Sequence, residues 1–596
     1  MRRPVILCEY AHAMGNSGGC LAKYWAHFRD SQLPRFQGGF IWDFIDQGLA
    51  LPSNNKHFGY GGDFGDFPNT KNFCCNGIMS PDRKPFPTAK EAAHLQSPVM
   101  VEVSYVPEGG AKCIYMAISN RFIHSDLSDV VVIVTPMLHA AAINDLVYFQ
   151  SFEVSCSGIL PQEERLVCLD EPIIAALHKQ PVLIPTLQSR LNSVISSSPL
   201  LQQQVLLDVS VRYSTLCNAE TSPAIAPSPA STPISTPSNT GMYTGTGSIS
   251  STNGNSSLNV ARTLSRKSVS ISSSPMDSPA EGSTIGESLN LFAWKPGHEL
   301  LHISWVDTEE VLLQTVQTSL HNALRSLTSW SYKQNMSISH FESSDASTGV
   351  EVIMVRWSDG SSASIGRQCG RLLSWVNNRN KSVIDSKHPL DICLYRAPTD
   401  NDKGGGGFSY AANWKAAGLD RLERKDSSKS AIISCQSHQD AVNGACLVIE
   451  TAWVLAPSSV MSYRNGQTTR LQKDTTGIEI PCKCTYTFKA DGAVEVNLSA
   501  ALPVYLPPLP RFGVRFAVNR RYEVVRWFGL GPHEAYDDRK ESAYLGVFRS
   551  HLSQLFTHYT VPQECGRRAD PRYIQHMCIM HRTSIHIYVQ LYIIIH

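Results

Sequence analysis

This sequence of 596 residues has no apolar run approaching the roughly 20 residues that a membrane-spanning helix needs. Its two candidates fall short: Pro4–Cys8 is only a strand's length, and Ile585–Ile595 is short and broken by polar positions. Pro4–Cys8 also falls below the roughly 7–15 apolar residues of a secretory leader, although Arg2 and Arg3 precede it. An excess of either charge is equally missing. Lys and Arg number 52 against 51 Asp and Glu, a formal net charge of +1. That balance argues against a nucleic-acid surface and against an acidic solvating tail, and it suits a neutral ligand. The 16 cysteines form no regular framework, and no Cys-x-x-Cys pair recurs at zinc-site spacing. Cys74 and Cys75 are adjacent and poorly placed to bridge each other. Free thiols in a reducing compartment, hence a cytoplasmic location, are the expectation, which leaves the triplets at Asn255, Asn335, Asn380 and Asn497 without meaning as glycosylation sites. No internal repeat of short period is present.

What is there is ordinary core-forming composition, 42% hydrophobic and 17% charged. At roughly 100–200 residues per domain the length predicts about three to five domains. Residues 4–10 are an apolar run ending in a carboxylate and a tyrosine, 17–30 have helix-compatible spacing, and QGGFIWDFID (37–46) is a second apolar run. Strand, helix and strand in that order predict a βαβ unit of a parallel sheet, with polar residues at the C-terminal strand ends where (β/α) barrels place their sites. From about 96 the texture changes to short β-type runs such as VMVEVSYV and DVVVIVTPML, which predict antiparallel sandwiches. Residues 218–288 are rich in Ser, Thr, Pro and Gly and bury too little apolar area to offset chain entropy, so disorder is expected there. After 290 the β texture resumes to about 560. The final stretch, IQHMCIMHRTSIHIYVQLYIIIH, lacks turn logic and reads as a frayed end; Cys578 and His581 are too few to ligate a metal.

Glu9 ends its strand beside Tyr10, His12 and Asn16. A carboxylate at a barrel strand end can attack a sugar carbon, but a lone Glu after an apolar run is more often a surface strand end. Three blocks in order change that balance. ILCEYAHAMGNS (6–17) closely resembles the nucleophile segment of the large β-galactosidases of glycoside hydrolase family 2, and QGGFIWDFIDQ (37–47) and YGGDFGDFPNTKNFCCNGI (60–78) resemble the next blocks. YRAPTDND (395–402), WKAAGLDRL (414–422), WFGLGPHEAYDDR (527–539) and PQECGRRAD (562–570) resemble the large C-terminal sandwich of the same enzymes.

The resemblance implies a mainly β, mixed fold. Residues 1–95 would be the C-terminal part of a (β/α)8 TIM barrel, and 96–217 with 289–310 an immunoglobulin-like sandwich. Residues 218–288 would be a disordered insert, 311–573 a large galactose-mutarotase-like sandwich, and 574–596 a tail outside the family. It implies retaining hydrolysis of terminal β-D-galactose, with a β-galactoside such as lactose as substrate and a possible homo-oligomer. Glu9 would be the nucleophile. His12, Tyr10 and Trp42 would contact the sugar. Phe73 and Asn76 would bind sodium, and Asn69 an outlying magnesium. No organic cofactor is implied, nor is a nucleic-acid or membrane partner. A mobile loop would start at Gly404–Gly407. The family's general acid/base Glu and most barrel strands precede the matched blocks, and Asp43 and Asp46 are the local carboxylates without that role. An inactive fragment or pseudoenzyme with residual carbohydrate binding is therefore the alternative expectation.

Overall fold

The computed structural model describes residues 3–178, 203–213, 299–306 and 336–588, except for 53, 109–110, 141–144, 345–348, 405–406, 426–429, 441–443, 465–466, 473–475, 491 and 579–582. The Ser/Thr/Pro-rich stretch 218–288, Gly405, Gly406 and His581 lie outside the described residues.

The expected βαβ unit is present. Strand β1 (Val5–Tyr10) leads through helix α1 (Leu21–Phe28) to strand β2 (Phe36–Ile41), which lies parallel to β1 with Val5 opposite Phe36 and Tyr10 opposite Ile41. Leu21 is the buried residue of α1, and it packs with Tyr10 and with Ala92 and Leu95 of helix α2 (Pro87–Leu95). Pro87 opens α2, where its fixed φ and missing N–H cost nothing.

Two antiparallel sheets follow and share one core. Val99–Glu108, Ala111–Asn120 and Glu164–Cys168 form the first sheet. The second runs Glu299–Val306, Gln203–Tyr213, Val130–Ala140 and Asp145–Tyr148 in that order, with Phe152–Ser155 also on Val130–Ala140. Alternate residues of both sheets, among them Val101, Ile114, Met116, Val132, Val209 and Val211, are buried together, as period-2 alternation requires. A second large core joins the sheet of Ile338–Ser344, Glu351–Trp357, Ser362–Gly366 and Leu372–Val376 to the sheet built on Gly444–Pro457 and Ile480–Lys489. The last sheet has the order Tyr544–His551, Val524–Gly531, Tyr573–Cys578, Thr583–Tyr588. Within the segment from 574, expected to fray, the strands Tyr573–Cys578 and Thr583–Tyr588 pair with each other, and the first adds to Val524–Gly531 with Ile574 opposite Trp527. Its β-branched residues find a partner strand far back in the sequence.

The first pair of antiparallel sheets and the last sheet are pinned by His302, whose ring stacks on Tyr544 at 3.6 Å and 5°. Its Nε2 lies 2.6 Å from Asp208 and its Nδ1 3.1 Å from Glu299. Burial alone would lower its pKa, but the two carboxylates outweigh that and lift it to about 9.

Candidate active site

The end of β1 sets a buried residue beside an exposed one. Tyr10 is buried, its ring edge-on to Phe28 at 5.3 Å, and burial raises its phenol pKa. Glu9, the preceding residue, is exposed, as are Val5, Ile6 and Cys8 of the same strand. No hydrogen bond or ion pair engages the Glu9 carboxylate among the described residues. The Tyr10 carbonyl accepts the Trp42 N–H at 3.1 Å and ties the end of β1 to the residue after β2. Trp42 keeps 42% of its surface exposed, and its peptide bond to Asp43 is cis. Ala11, at φ 53, bends the chain off the strand, and exposed His12 follows.

The second half of the rim is the segment 42–47 zipped to 73–79. Asp43 N–H donates to the Asn76 carbonyl at 2.8 Å, Ile78 N–H to Asp43 at 2.9 Å, and Gln47 N–H to Cys74 at 2.9 Å. Asp46 seals this zipper, accepting from Gly77 N–H at 2.7 Å and from the Thr560 hydroxyl at 3.3 Å. Burial pushes its pKa up to about 6, with Asp400 adding to it against those two bonds. A side chain at Gly77 would sit 2.0 Å from Asp46 N, so only glycine fits there. The zipper places Phe73, 57% exposed, with its ring 5.6 Å from that of His12. The structure thus brings His12, Phe73 and Asn76 to one place, while Asn69 stands apart.

Asn76 is buried, and its Nδ2 donates to the Phe73 carbonyl at 3.1 Å. Its Oδ1 receives only a 3.4 Å contact from Gln47. Two neutral oxygens, one of them underused, suit a hard monovalent cation in kind. Asn69 is different: its Nδ2 donates to Asp66 O at 2.9 Å and its Oδ1 accepts from Lys71 N–H at 3.1 Å, so its amide closes its own turn. Among the described residues no three His, Cys, Asp or Glu gather as metal ligands. Neither local carboxylate is free. Asp43 accepts from Phe44 N–H at 2.5 Å and Gln47 Nε2 at 2.9 Å, and Asp46 is buried in the zipper.

Comparison with known proteins matches the two ends of this arrangement separately. Residues 1–101 match the family model described as glycosyl hydrolases family 2, TIM barrel domain, and residues 358–583 match that of the beta galactosidase small chain. Both ends of the chain are thus similar to parts of glycoside hydrolase family 2 enzymes. The chain is similar to beta-galactosidases of Vibrio cholerae serotype O1 (27% identical, 96% of this chain and 40% of that protein) and Photobacterium profundum (26%, 96% and 41%). The one from Pseudoalteromonas haloplanktis is 27% identical over 95% of this chain and 41% of its own length. The chain spans about 40% of the length of these relatives. No helix among the described residues is long and apolar enough to cross a membrane.

The two family segments meet at Asn16, whose importance sequence spacing did not reveal. Its N–H donates to Gln563 Oε1 at 2.9 Å, and its Nδ2 to the Tyr536 hydroxyl at 3.0 Å and the Glu564 carbonyl at 2.7 Å. Its Oδ1 accepts from Arg539 at 2.6 Å and the Tyr559 hydroxyl at 3.1 Å. Arg539 also reaches Glu534 at 2.8 Å and Thr88 at 3.0 Å. Gly15, at φ +56, lies so close to Gln563 that an added Cβ would be 2.0 Å from Nε2. Gln563 in turn holds Asp400, beside the helical turn Asp400–Lys403, whose N-cap Thr399 and Asp402 form a capping box. Arg396 clamps Asp402, and with the Thr399 bonds it outweighs burial to hold that carboxyl below its usual range. The signal available in the sequence was charge inside apolar blocks, as in HEAYDDR and RAPTDND.

Proposed function

We propose that this chain is the nucleophile-bearing portion of a retaining β-galactosidase acting on terminal β-D-galactose residues such as that of lactose. The observation that carries the reading is an exposed, unengaged Glu9 at the C-terminal end of a parallel strand, adjoining a strand that exposed Trp42 directly follows. In this reading the Glu9 carboxylate forms a bond to the anomeric carbon as the glycosidic C–O bond breaks, and water later releases the sugar from the ester. Trp42 offers an apolar face to the pyranose and His12 contacts a hydroxyl. The Phe73 carbonyl and the Asn76 side chain would hold a sodium ion, which supplies a fixed positive charge beside the sugar. The carboxyl that protonates the leaving oxygen is neither Asp43 nor Asp46, since both are engaged elsewhere. We assign it to the part of the relatives that this chain does not span.

The same reading takes 1–95 as barrel, 96–217 with 289–310 as an immunoglobulin-like sandwich and 311–573 as a galactose-mutarotase-like sandwich. A cytoplasmic homo-oligomer accompanies it. The test is a 2-deoxy-2-fluoro galactoside with a good leaving group, followed by peptide mass mapping. The expected result is a galactosyl ester on the peptide containing Glu9, and none in Glu9→Gln. In a preparation that turns over a chromogenic β-galactoside, Glu9→Gln should cut the rate on the order of 10³-fold or more. Labelling elsewhere, or full activity in Glu9→Gln, would refute the assignment. The engaged state of Asp43 and Asp46 favours a second reading for the chain acting alone, sugar binding without hydrolysis; robust turnover by the purified chain would sink it.

A further inference from the structure

Strand Gln203–Tyr213 divides its side chains between two neighbours. Val205, Leu207, Val209 and Val211 pack in the core of the first pair of sheets. Leu206, Asp208, Ser210 and Arg212 fall on the opposite face, as the period of two requires. Three of those four are polar and would suit solvent, yet Leu206 is buried with Phe528 and Leu545 of the last sheet. The polar positions close the same interface through His302, which lies opposite Ser210 on the neighbouring strand Glu299–Val306. The His302 side chain is only 15% exposed, with Nε2 2.6 Å from Asp208 and Nδ1 3.1 Å from Glu299. Its ring lies flat on Tyr544 of the last sheet. The Leu545 N–H also crosses between the two, donating to Ser304 Oγ at 2.7 Å.

Both ring nitrogens of His302 face carboxylates, and an ionised carboxylate only accepts. A neutral imidazole has one N–H to give, so one of the two contacts would set a lone pair against a lone pair. The imidazolium satisfies both, and its charge suits the face of the Tyr544 ring. Charged His302 and Arg212, which reaches Glu299 at 3.4 Å, together balance Asp208 and Glu299. Ser210 adds a hydrogen bond to Glu299 at 2.5 Å. The other titratable side chains facing this group are Tyr544, on the last sheet, and Tyr148, on strand Asp145–Tyr148. Burial raises the Tyr544 phenol, so His302 discharges before it as pH rises. Burial opposes the His302 charge, but the two carboxylates lift its value from 6.5 to about 9. What the charged ring adds to the contact is therefore whole below 6.5 and is lost as pH rises through about 9.

We propose that charged His302 is a pH-sensitive clamp holding the last sheet against the first pair of sheets, and that loss of its proton loosens this contact. The clamp acts at the base of the Asn16 contacts, because strands Val524–Gly531 and Tyr544–His551 flank the segment that carries Glu534, Tyr536 and Arg539. None of its residues belongs to the rim around Glu9, so it stands apart from the hydrolytic reading. The test is amide hydrogen exchange of the full chain, read by mass spectrometry between pH 6 and 10. Each rate is divided by that of an unstructured peptide at the same pH. Protection of Tyr544–His551 should fall roughly tenfold or more from pH 7 to 10, while that of Glu351–Trp357, in the second large core, holds. In His302→Gln, protection of Tyr544–His551 should start low and stay level. Glu299→Gln keeps the imidazole but removes one of its two charged partners, so the fall should come at lower pH; this variant decides the matter even where His302→Gln does not fold. Protection that ignores pH in the natural chain, a parallel fall in Glu351–Trp357, the same fall in His302→Gln, or an unmoved fall in Glu299→Gln would overturn the proposal.

Discussion

Glu9 and Asn16 sit in one short segment and are treated in opposite ways. Around Glu9 the polar groups are left without partners: the carboxylate is exposed and unengaged, and the rings of His12, Trp42 and Phe73 face outward. The N–H of Asn16 and both ends of its side-chain amide are all used, and the side chain is buried among Tyr536, Arg539, Tyr559 and Glu564. The difference teaches how a chain can afford a reactive edge. Exposed groups cost nothing while they wait for a ligand, whereas buried ones must be fully satisfied or they destabilise the fold. The rim's geometry is then set by the hub behind it.

The largest effect should come from breaking the hub. Arg539 and Glu534 are a buried ion pair, with side chains only 3% and 1% exposed. Arg539→Met strands the Glu534 charge and should cost about 3–5 kcal/mol. The measurement is the urea midpoint of the unfolding transition. Adding Glu534→Gln should recover part of the loss, because the stranded charge is then gone. A loss below about 1 kcal/mol in Arg539→Met would mean that the hub is no more stabilising than the rim.

Next comes Asp46, which sits between the two regions. Its folded pKa is raised to about 6 from 3.8, burial being the first cause. A carboxyl with a raised folded pKa favours the protonated fold. Its relative contribution is greatest below about 4, declines as pH rises to about 6, and is level above. The decline amounts to on the order of 3 kcal/mol. Other carboxylates titrate in the same range, so the quantity to measure is the stability difference between the natural chain and Asp46→Asn across pH 4–7. That difference should move in favour of the variant as pH rises. A pH-independent difference would show that the charge of Asp46 is not held out of water.

These two experiments concern features of unequal legibility. The β1–α1–β2 unit could be read directly, because an apolar run, a helix-compatible stretch and a second apolar run carry their own periodicity. Glu9, His12 and Trp42 were singled out through resemblance, and their spacing alone would have left Glu9 an ordinary strand end. Asn16 stands out in the sequence only as a neighbour of Glu9, since its partners lie between 536 and 564 and no local pattern encodes a contact of that separation. The strand Tyr573–Cys578 was misread for the same reason, its partner being Val524–Gly531. Asn69 shows the converse: its motif position suggested a metal contact, but a turn of its own takes both ends of the amide.

A smaller effect is expected where the hub hands over to the RAPTDND segment. Thr399 caps the turn Asp400–Lys403, its hydroxyl accepting from Asp402 N–H at 3.3 Å. Thr399→Ala should cost about 1 kcal/mol, whereas Thr399→Ser should cost less. Equal losses in thermal unfolding would assign the effect to the methyl group and not to the cap.

The smallest effect should be at Glu9 itself, and it decides whether the comparison holds. An exposed carboxylate without a partner contributes nothing to the fold that glutamine lacks, so Glu9→Gln should shift stability by no more than about 0.5 kcal/mol. The same substitution is the one expected to abolish sugar-ester formation. Stability and chemistry would then separate completely at this position, as they cannot at Asn16, where removing the side chain disturbs both the hub and the loop that carries His12. A clear stability change in Glu9→Gln, measured by urea unfolding at neutral pH, would place Glu9 among the structural carboxylates with Asp46. It would also erase the contrast between rim and hub.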